Sequence, residues 1–323
     1  MEKQSALSLK VSIVVPVYRS EKILPRLVDE VHAVMQEKGL QDSFELVLVN
    51  DASPDGSWEQ IKRLAGEHKF IVGLSLMKNF GQHNATMAGL NHASGDVVVI
   101  MDDDLQHPPS TITSLLDTIE AGADVCYTYY RARRHAAWKK IGSWVNDVAA
   151  TVLLGKPREL YLSSFKALRR SIVTEIIKYD GPYAYVDGLI LDTTRSIASV
   201  EILHQERFEG TGNYTFLKSL SLWLKMATSF SVFPLRLASV FGIVLAGLSL
   251  VFIAAVVLEK LRHPETPAGW ASLIATVLFI GGVQLLCLGL IGEYLGRAYL
   301  KLNRKPQFVV RETCAGTSHH SRK

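Results

Sequence analysis

The chain has 323 residues, 48% of them hydrophobic and 20% charged, so it can bury a sizeable core as one large domain or two smaller ones. That composition excludes a disordered chain, a collagen-like fibre and a small disulfide scaffold. The net charge of +4 is mild, and no basic tail points to nucleic acid as a partner.

The opening MEKQSALSLK holds no apolar core with a cleavage site, so no secretory signal is expected. VSIVVPVY (Val11–Tyr18) is a continuous apolar run and reads as a strand buried on both faces. An amphipathic helix follows over Glu21–Lys38. FELVLVND (Phe44–Asp51) reads as the second strand, with a helix over Ser57–His68. FIVGLSLM (Phe70–Met77) is the third, a helix spans Gln82–His92, and GDVVVIMDDD (Gly95–Asp104) is the fourth. Pro108-Pro109 opens a helix over Ser110–Ala121, where proline is tolerated. Ala123–Arg133 reads as the fifth strand. This β-α-β alternation predicts a mostly parallel sheet with flanking helices. Ala136–Leu154 forms an amphipathic helix, lying at a membrane surface or packed on the core. A short helix over Ser171–Tyr179 and a strand over Val200–Phe208 complete the region. Tyr214–Phe233 is a second candidate interfacial helix, with Leu217, Leu220, Trp223 and Leu224 against Lys218 and Lys225.

Two stretches without a charged residue come next, Leu237–Leu258 and Thr266–Gly292. The shorter makes a helix about 33 Å long, enough for a bilayer core of about 30 Å. A transmembrane hairpin is the reading favoured over two buried core helices. Arg297, Lys301, Arg304, Lys305 and Arg311 follow the hairpin, and Lys218, Lys225 and Arg236 precede it. Positive charge favours the cytoplasmic side, so both ends and the first domain are expected there, at an inner membrane crossed more than once. The expected layout is a cytosolic domain over 1–213, a juxtamembrane helix over 214–233, two spans within 234–300 and a cytosolic tail over 301–323. The segment after Thr313 is polar and reads as disordered. Cys126, Cys287 and Cys314 are scattered and form no CxxC, which disfavours a zinc site and fits a reducing compartment.

Asp102, Asp103 and Asp104 end a strand expected at the sheet centre, on the edge where open α/β sheets bind ligands. Like charges so close repel unless a cation neutralises them. Mg²⁺ and Mn²⁺ favour a few carboxylates plus phosphate oxygens, so a metal-bound diphosphate suits the site. A solvated acidic turn capping the next helix is the alternative. Asp51 ends the second strand at the same edge, suited to bonding a base or ribose, or to forming a turn. Neither GxGxxG nor GxxxxGK[ST] occurs, which disfavours a dinucleotide site or P-loop.

Val15-Pro16-Val17-Tyr18, Val49-Asn50-Asp51, Lys78-Asn79-Phe80-Gly81-Gln82-His83 and Asp102-x-Asp104-Leu105-Gln106-x-Pro108-Pro109 resemble family 2 glycosyltransferases with a GT-A fold. GGVQLLCLGLIGEYLGRAY (Gly281–Tyr299) is similar to the second span of the polyisoprenyl-phosphate glycosyltransferases within that family. The resemblance implies inverting transfer from a nucleotide-sugar, most simply a UDP-sugar, to undecaprenyl phosphate. It assigns Asp102 and Asp104 to a Mg²⁺ or Mn²⁺ ion and the diphosphate, with Asp104 central to catalysis. It places Pro16, Tyr18, Asp51, Asn79 and Asp103 around the donor. Arg207 opens RFEGTGNY, similar to a stretch that faces the phosphate-bearing substrates, and Lys166 is a second candidate for the acceptor phosphate. A homo-oligomer, as a tetramer, is also implied.

Two departures stand out. The family pattern G-D-F-R reads Ser163-Ser164-Phe165-Lys166 here, so the acid often treated as catalytic is Ser164; Gly212 and Asn213 replace a hydroxyl residue and a lysine. The acid has either moved, with Asp187 as the candidate, or become dispensable. Asp187 also suits a helix start. A lipid phosphate is largely ionised near neutral pH and needs less base help than a hydroxyl. A processive polysaccharide synthase would carry Q-x-x-R-W, which is absent. A non-catalytic nucleotide-sugar-binding module would tolerate Ser164 and Asn213 but has no need of paired Asp102 and Asp104.

Overall fold

The computed structural model describes residues 9–130, 157, 160–202, 233–263 and 269–316. The chain divides into two compact units, Met1–Asn213 with Arg304–Lys323, and Tyr214–Asn303.

In the first unit, β1 (Val11–Val17), β2 (Phe44–Asn50), β3 (Ile71–Leu76) and β4 (Val97–Ile100) alternate with α1 (Leu24–Glu37), α2 (Ser57–Glu67) and α3 (Gln82–His92). Then come α4 (Thr111–Glu120), β5 (Val125–Tyr130), β6 (Lys166–Arg169), α5 (Arg170–Ile176), α6 (Val186–Thr193) and β7 (Ile197–Ile202), and β8 (Val310–Ala315) arrives from the far end of the chain. The eight strands lie in the order β7-β5-β6-β4-β1-β2-β3-β8. β1 is parallel to β2 and β4, β2 to β3, and β5 to β7; β6 and β8 run antiparallel to their neighbours.

Alternation along the buried strands feeds two cores. Ile13, Val15, Leu46 and Leu48 pack towards α1, α2 and α4, and Val14, Val47 and Val49 towards α3, α5 and α6. Gly89 lets α3 come close to the sheet: a Cβ there would stand 2.3 Å from Val14 Cγ1. Ser12 and Glu45 are buried polar residues of β1 and β2, and they satisfy each other (2.5 Å) together with Ser94.

The strands and helices expected up to residue 130 are present within a few residues of their expected ends. Four elements differ from expectation. The strand expected over Val200–Phe208 begins three residues earlier, as β7, and its positions 203–208 lie outside the described residues. β6 is only KALR, and pairing on both sides makes it a strand. α6 was expected only as an Asp at a helix start. The segment after Thr313 was expected to be disordered, yet Thr313, Cys314 and Ala315 lie in β8 and pair with Leu74, Gly73 and Val72. That correction has a simple cause: an edge strand is held by its backbone, so exposed VRETCA needs no apolar pattern. The expected helix over 136–154 lies outside the described residues, as does that over 214–233 except Phe233, and so do Arg207 and the rest of RFEGTGNY.

The second unit contains α7 (Phe233–Arg262) and α8 (Trp270–Leu302). Among the described residues, Phe279–Leu302 is long and apolar enough to cross a membrane.

Candidate active site

The sequence of strands reverses direction at β1: β2 and β3 extend the sheet to one side, and β4 to the other. Such a switch point opens a crevice at the carboxyl ends of the strands. β1–β4 pairing stops at Val14 and Ile100, and Pro16, which has no N–H to offer a ladder, lies beyond that point. The ends of β1, β2 and β4 converge here. Each is followed by a non-glycine residue in the left-handed region: Arg19 (φ 60°), Ala52 (φ 50°) and Leu105 (φ 53°). Such conformations cost about 1 kcal/mol or more each and persist where surroundings impose them. The surroundings are visible. Arg19 N–H donates to Ser53 Oγ (2.7 Å), and Ser53 N–H to Asn50 Oδ1 (3.1 Å).

The three acids take different partners. Asp102 accepts Gln82 Nε2 (2.6 Å) on one oxygen and Ser164 Oγ (2.5 Å) on the other. Asp103 accepts the Tyr18 N–H (3.1 Å) and Ser20 Oγ (2.5 Å), joining the end of β4 to that of β1. Asp104 accepts the Gln106 N–H at 3.1 Å. Burial pushes the Asp102 carboxyl above its ordinary range and the Asp103 carboxyl up to about 6, with their acidic neighbours adding to it. Among the described residues no three metal-binding side chains form a ready-made cage. Mg²⁺ and Mn²⁺ take one or two carboxylates and complete their shells with water and substrate phosphates. Hard oxygen donors crowded at a half-buried strand end suit such a cation, and Asp102 and Asp104 are the residues that would hold it.

Asp51 does structural work within the site. Buried, it accepts the Phe80 N–H (2.7 Å) and the Gly81 N–H (2.8 Å), one on each oxygen. It thereby fixes the loop that carries exposed Asn79 and turns into α3 through Gly81 at φ 88°. Tyr18 is 44% exposed at the rim, with the Arg19 guanidinium 5.5 Å from its ring centre.

Lys166 and Asp187 were expected as separate contributors. They form one buried ion pair, and Asp187 also accepts the Tyr127 hydroxyl at 2.9 Å. The Lys166 ammonium lies 5.0 Å from the Tyr127 ring centre. His83 packs edge-on against Tyr185 at 5.0 Å, and burial pushes its pKa down, which keeps it neutral. Burial and then the nearby Asp187 charge push both Tyr127 and Tyr185 up, so both stay protonated. Sequence reading did not single out Ser20, Gln82, His107 or Tyr127. Gln82 at least lay in the quoted block that ends at His83; nothing marked the other three.

Acids gathered at the carboxyl ends of three strands, at the switch point of a mostly parallel sheet, define an α/β protein with a candidate ligand site at that edge. The chain belongs to glycosyl transferase family 2, whose model matches residues 12–177. The model of the GtrB C-terminal hairpin matches residues 233–298. The undecaprenyl-phosphate 4-deoxy-4-formamido-L-arabinose transferase of Proteus mirabilis is 34% identical over 94% of this chain and 93% of its own length. The SfII prophage-derived bactoprenol glucosyl transferase of Shigella flexneri is 31% identical over 95% of this chain and 99% of its own. Among solved structures, M. tuberculosis glucosyl-3-phosphoglycerate synthase matches with a TM-score of 0.48 at 18% identity, over 68% of this chain and 78% of its own. The chain is therefore a glycosyltransferase with a mostly parallel sheet, flanking helices and a C-terminal hairpin.

Proposed function

We propose that this enzyme transfers a sugar from a nucleotide-sugar, most simply a UDP-sugar, to the phosphate of undecaprenyl phosphate, for cell-envelope glycan synthesis or modification. The observation that carries this reading is the placement of Asp102 and Asp104 where β4 leaves β1. The two relatives, named for undecaprenyl-phosphate and bactoprenol substrates, support the acceptor along nearly the whole chain.

In this reading an acceptor phosphate oxygen attacks the anomeric carbon in line. The new C–O bond forms as the bond to the diphosphate breaks, which inverts the centre. A divalent cation, when bound, neutralises charge on the departing diphosphate. The chain's own residues prepare the site. Asp102 and Asp104 would hold the cation, and Asp103 ties the end of β4 to that of β1. Asp51 shapes the loop bearing Asn79, and Tyr18 and Pro16 border the nucleoside. No proton has to leave a phosphate that is already ionised. Asp187 holds Lys166 in a buried ion pair rather than taking a proton, which leaves Arg207 to supply positive charge for the acceptor phosphate. The apolar hairpin and the basic residues beside it support a multi-pass protein of the cytoplasmic membrane, with the catalytic unit and both termini cytosolic. We assign it a homo-oligomeric state, a tetramer.

The test is incubation of the full chain with undecaprenyl phosphate and a panel of nucleotide-sugars, with mass spectrometry of the lipid. One donor is expected to give a lipid-phosphate-linked sugar, and Asp104→Asn or excess EDTA is expected to abolish it. Full transfer by folded Asp104→Asn, or in excess EDTA, overturns the mechanism.

A further inference from the structure

β6 runs antiparallel to β4 with Lys166 opposite Ile100. Two residues further along, that register brings Ser164 beside Asp102. Ser164 Oγ donates to Asp102 Oδ2 at 2.5 Å. From another element, Gln82, the first residue of α3, donates through Nε2 to Asp102 Oδ1 at 2.6 Å. Behind Ser164 stands His107, with Nε2 3.4 Å from the serine oxygen. Its ring is buried and tilted 51° against Phe165, at 5.5 Å between centres. Two residues far from Asp102 in sequence thus converge on its carboxylate.

The terminal torsion of an aspartate is broad and loosely set on its own. Charge-assisted bonds on both oxygens narrow it. We infer that Ser164 is a positioning residue that, with Gln82 opposite, orients the Asp102 carboxylate for the divalent cation it would hold. This rests on the function proposed above and adds a residue to it. The position lacks an acid yet is not vacant chemically. A hydroxyl donates to Asp102, whereas a carboxylate there would set a like charge within bonding distance of it. His107 limits where the Ser164 hydroxyl can turn.

Groups that bond to metal ligands typically contribute about 10–100-fold to metal affinity. Mn²⁺ binding to the purified full chain, with UDP present, can be followed by the loss of the free-ion electron paramagnetic resonance signal. Ser164→Ala is expected to weaken Mn²⁺ binding by about 10–100-fold. Ser164→Thr, which keeps the hydroxyl, is expected to restore it, and transfer by Ser164→Ala is expected to recover as Mn²⁺ is raised. Gln82→Ala changes an exposed side chain and is expected to weaken binding in the same direction. It carries the test if Ser164→Ala does not fold. A Ser164→Ala titration that superimposes on the wild type overturns the inference, as does a loss that Ser164→Thr does not reverse. A wild-type chain that binds no Mn²⁺ under these conditions overturns the underlying metal assignment as well, which separates the two failures.

Discussion

Asp187→Asn leaves the Lys166 ammonium buried without its carboxylate. In the native chain both side chains are almost wholly enclosed, and the ammonium is bounded by Asp187 on one side and the Tyr127 ring on another. Removing one member of a buried ion pair strands the other, which typically costs about 3–5 kcal/mol. In a folded unit of this size each kcal/mol moves the unfolding midpoint by about 2–4 °C, so a fall of roughly 6–20 °C is expected. Lys166→Met is expected to cost a similar amount, because Asp187 then keeps only the Tyr127 hydroxyl as a donor. The double variant Lys166→Met/Asp187→Leu removes both charges and is expected to regain most of the loss. Melting curves of the four proteins, followed by intrinsic fluorescence in one detergent, show the two losses and the recovery. If Asp187→Asn kept the wild-type midpoint but lost transfer by more than about 100-fold, the carboxylate would be acting on the substrate. The role given to it here would then be wrong.

Asp103 makes stability depend on pH. Its pKa of about 6 in the folded chain stands above the ordinary 3.8, so the folded state binds the proton more tightly than the unfolded state. Its stabilising contribution is whole below about pH 4 and declines as pH rises through 6. Asp103→Asn should therefore be the more stable protein above pH 6, by roughly 3 kcal/mol at most, and equal to wild type near pH 4. Melting temperatures in chelator across that range decide it, and a pH-independent difference speaks against the assignment. Gly89→Ala pushes a methyl against Val14 and should destabilise by about 1–3 kcal/mol, read by denaturant unfolding. Asp51→Ala strips the acceptor from the Phe80 and Gly81 N–H groups. The expected cost is about 1–3 kcal/mol. A higher KM for the nucleotide-sugar should accompany it in steady-state assays.

What could be read from the sequence follows from what each residue faces. Val11–Val17 is buried along its whole length, so its apolar run announced a central strand. The acids at the end of β4 announced the crevice, because so many like charges at a strand end need a partner. KALR announced nothing, since its strand state is imposed by β4 and β5 on either side. Asp51 was read as a base or ribose contact or a turn former; the structure adds that both its oxygens accept backbone N–H groups, which leave no trace in residue type. Lys166 and Asp187 were each noticed as a lone charge. They are 21 positions apart on different elements, and only tertiary packing reveals them as a pair. The same holds for Ser164 and Asp102, which are 62 positions apart.

β8 has a consequence for how the molecule is made. The flank of β3 carries a row of unsatisfied amides and carbonyls until Val310–Ala315 is laid along it. Those residues leave the ribosome more than two hundred positions later, after both long helices have been synthesised. The nascent enzymatic half therefore waits, sticky along one border, for Val310–Ala315 to zip it shut. A ribosome that stops short of them would release a chain complete in every chemical group yet prone to clumping with its own kind.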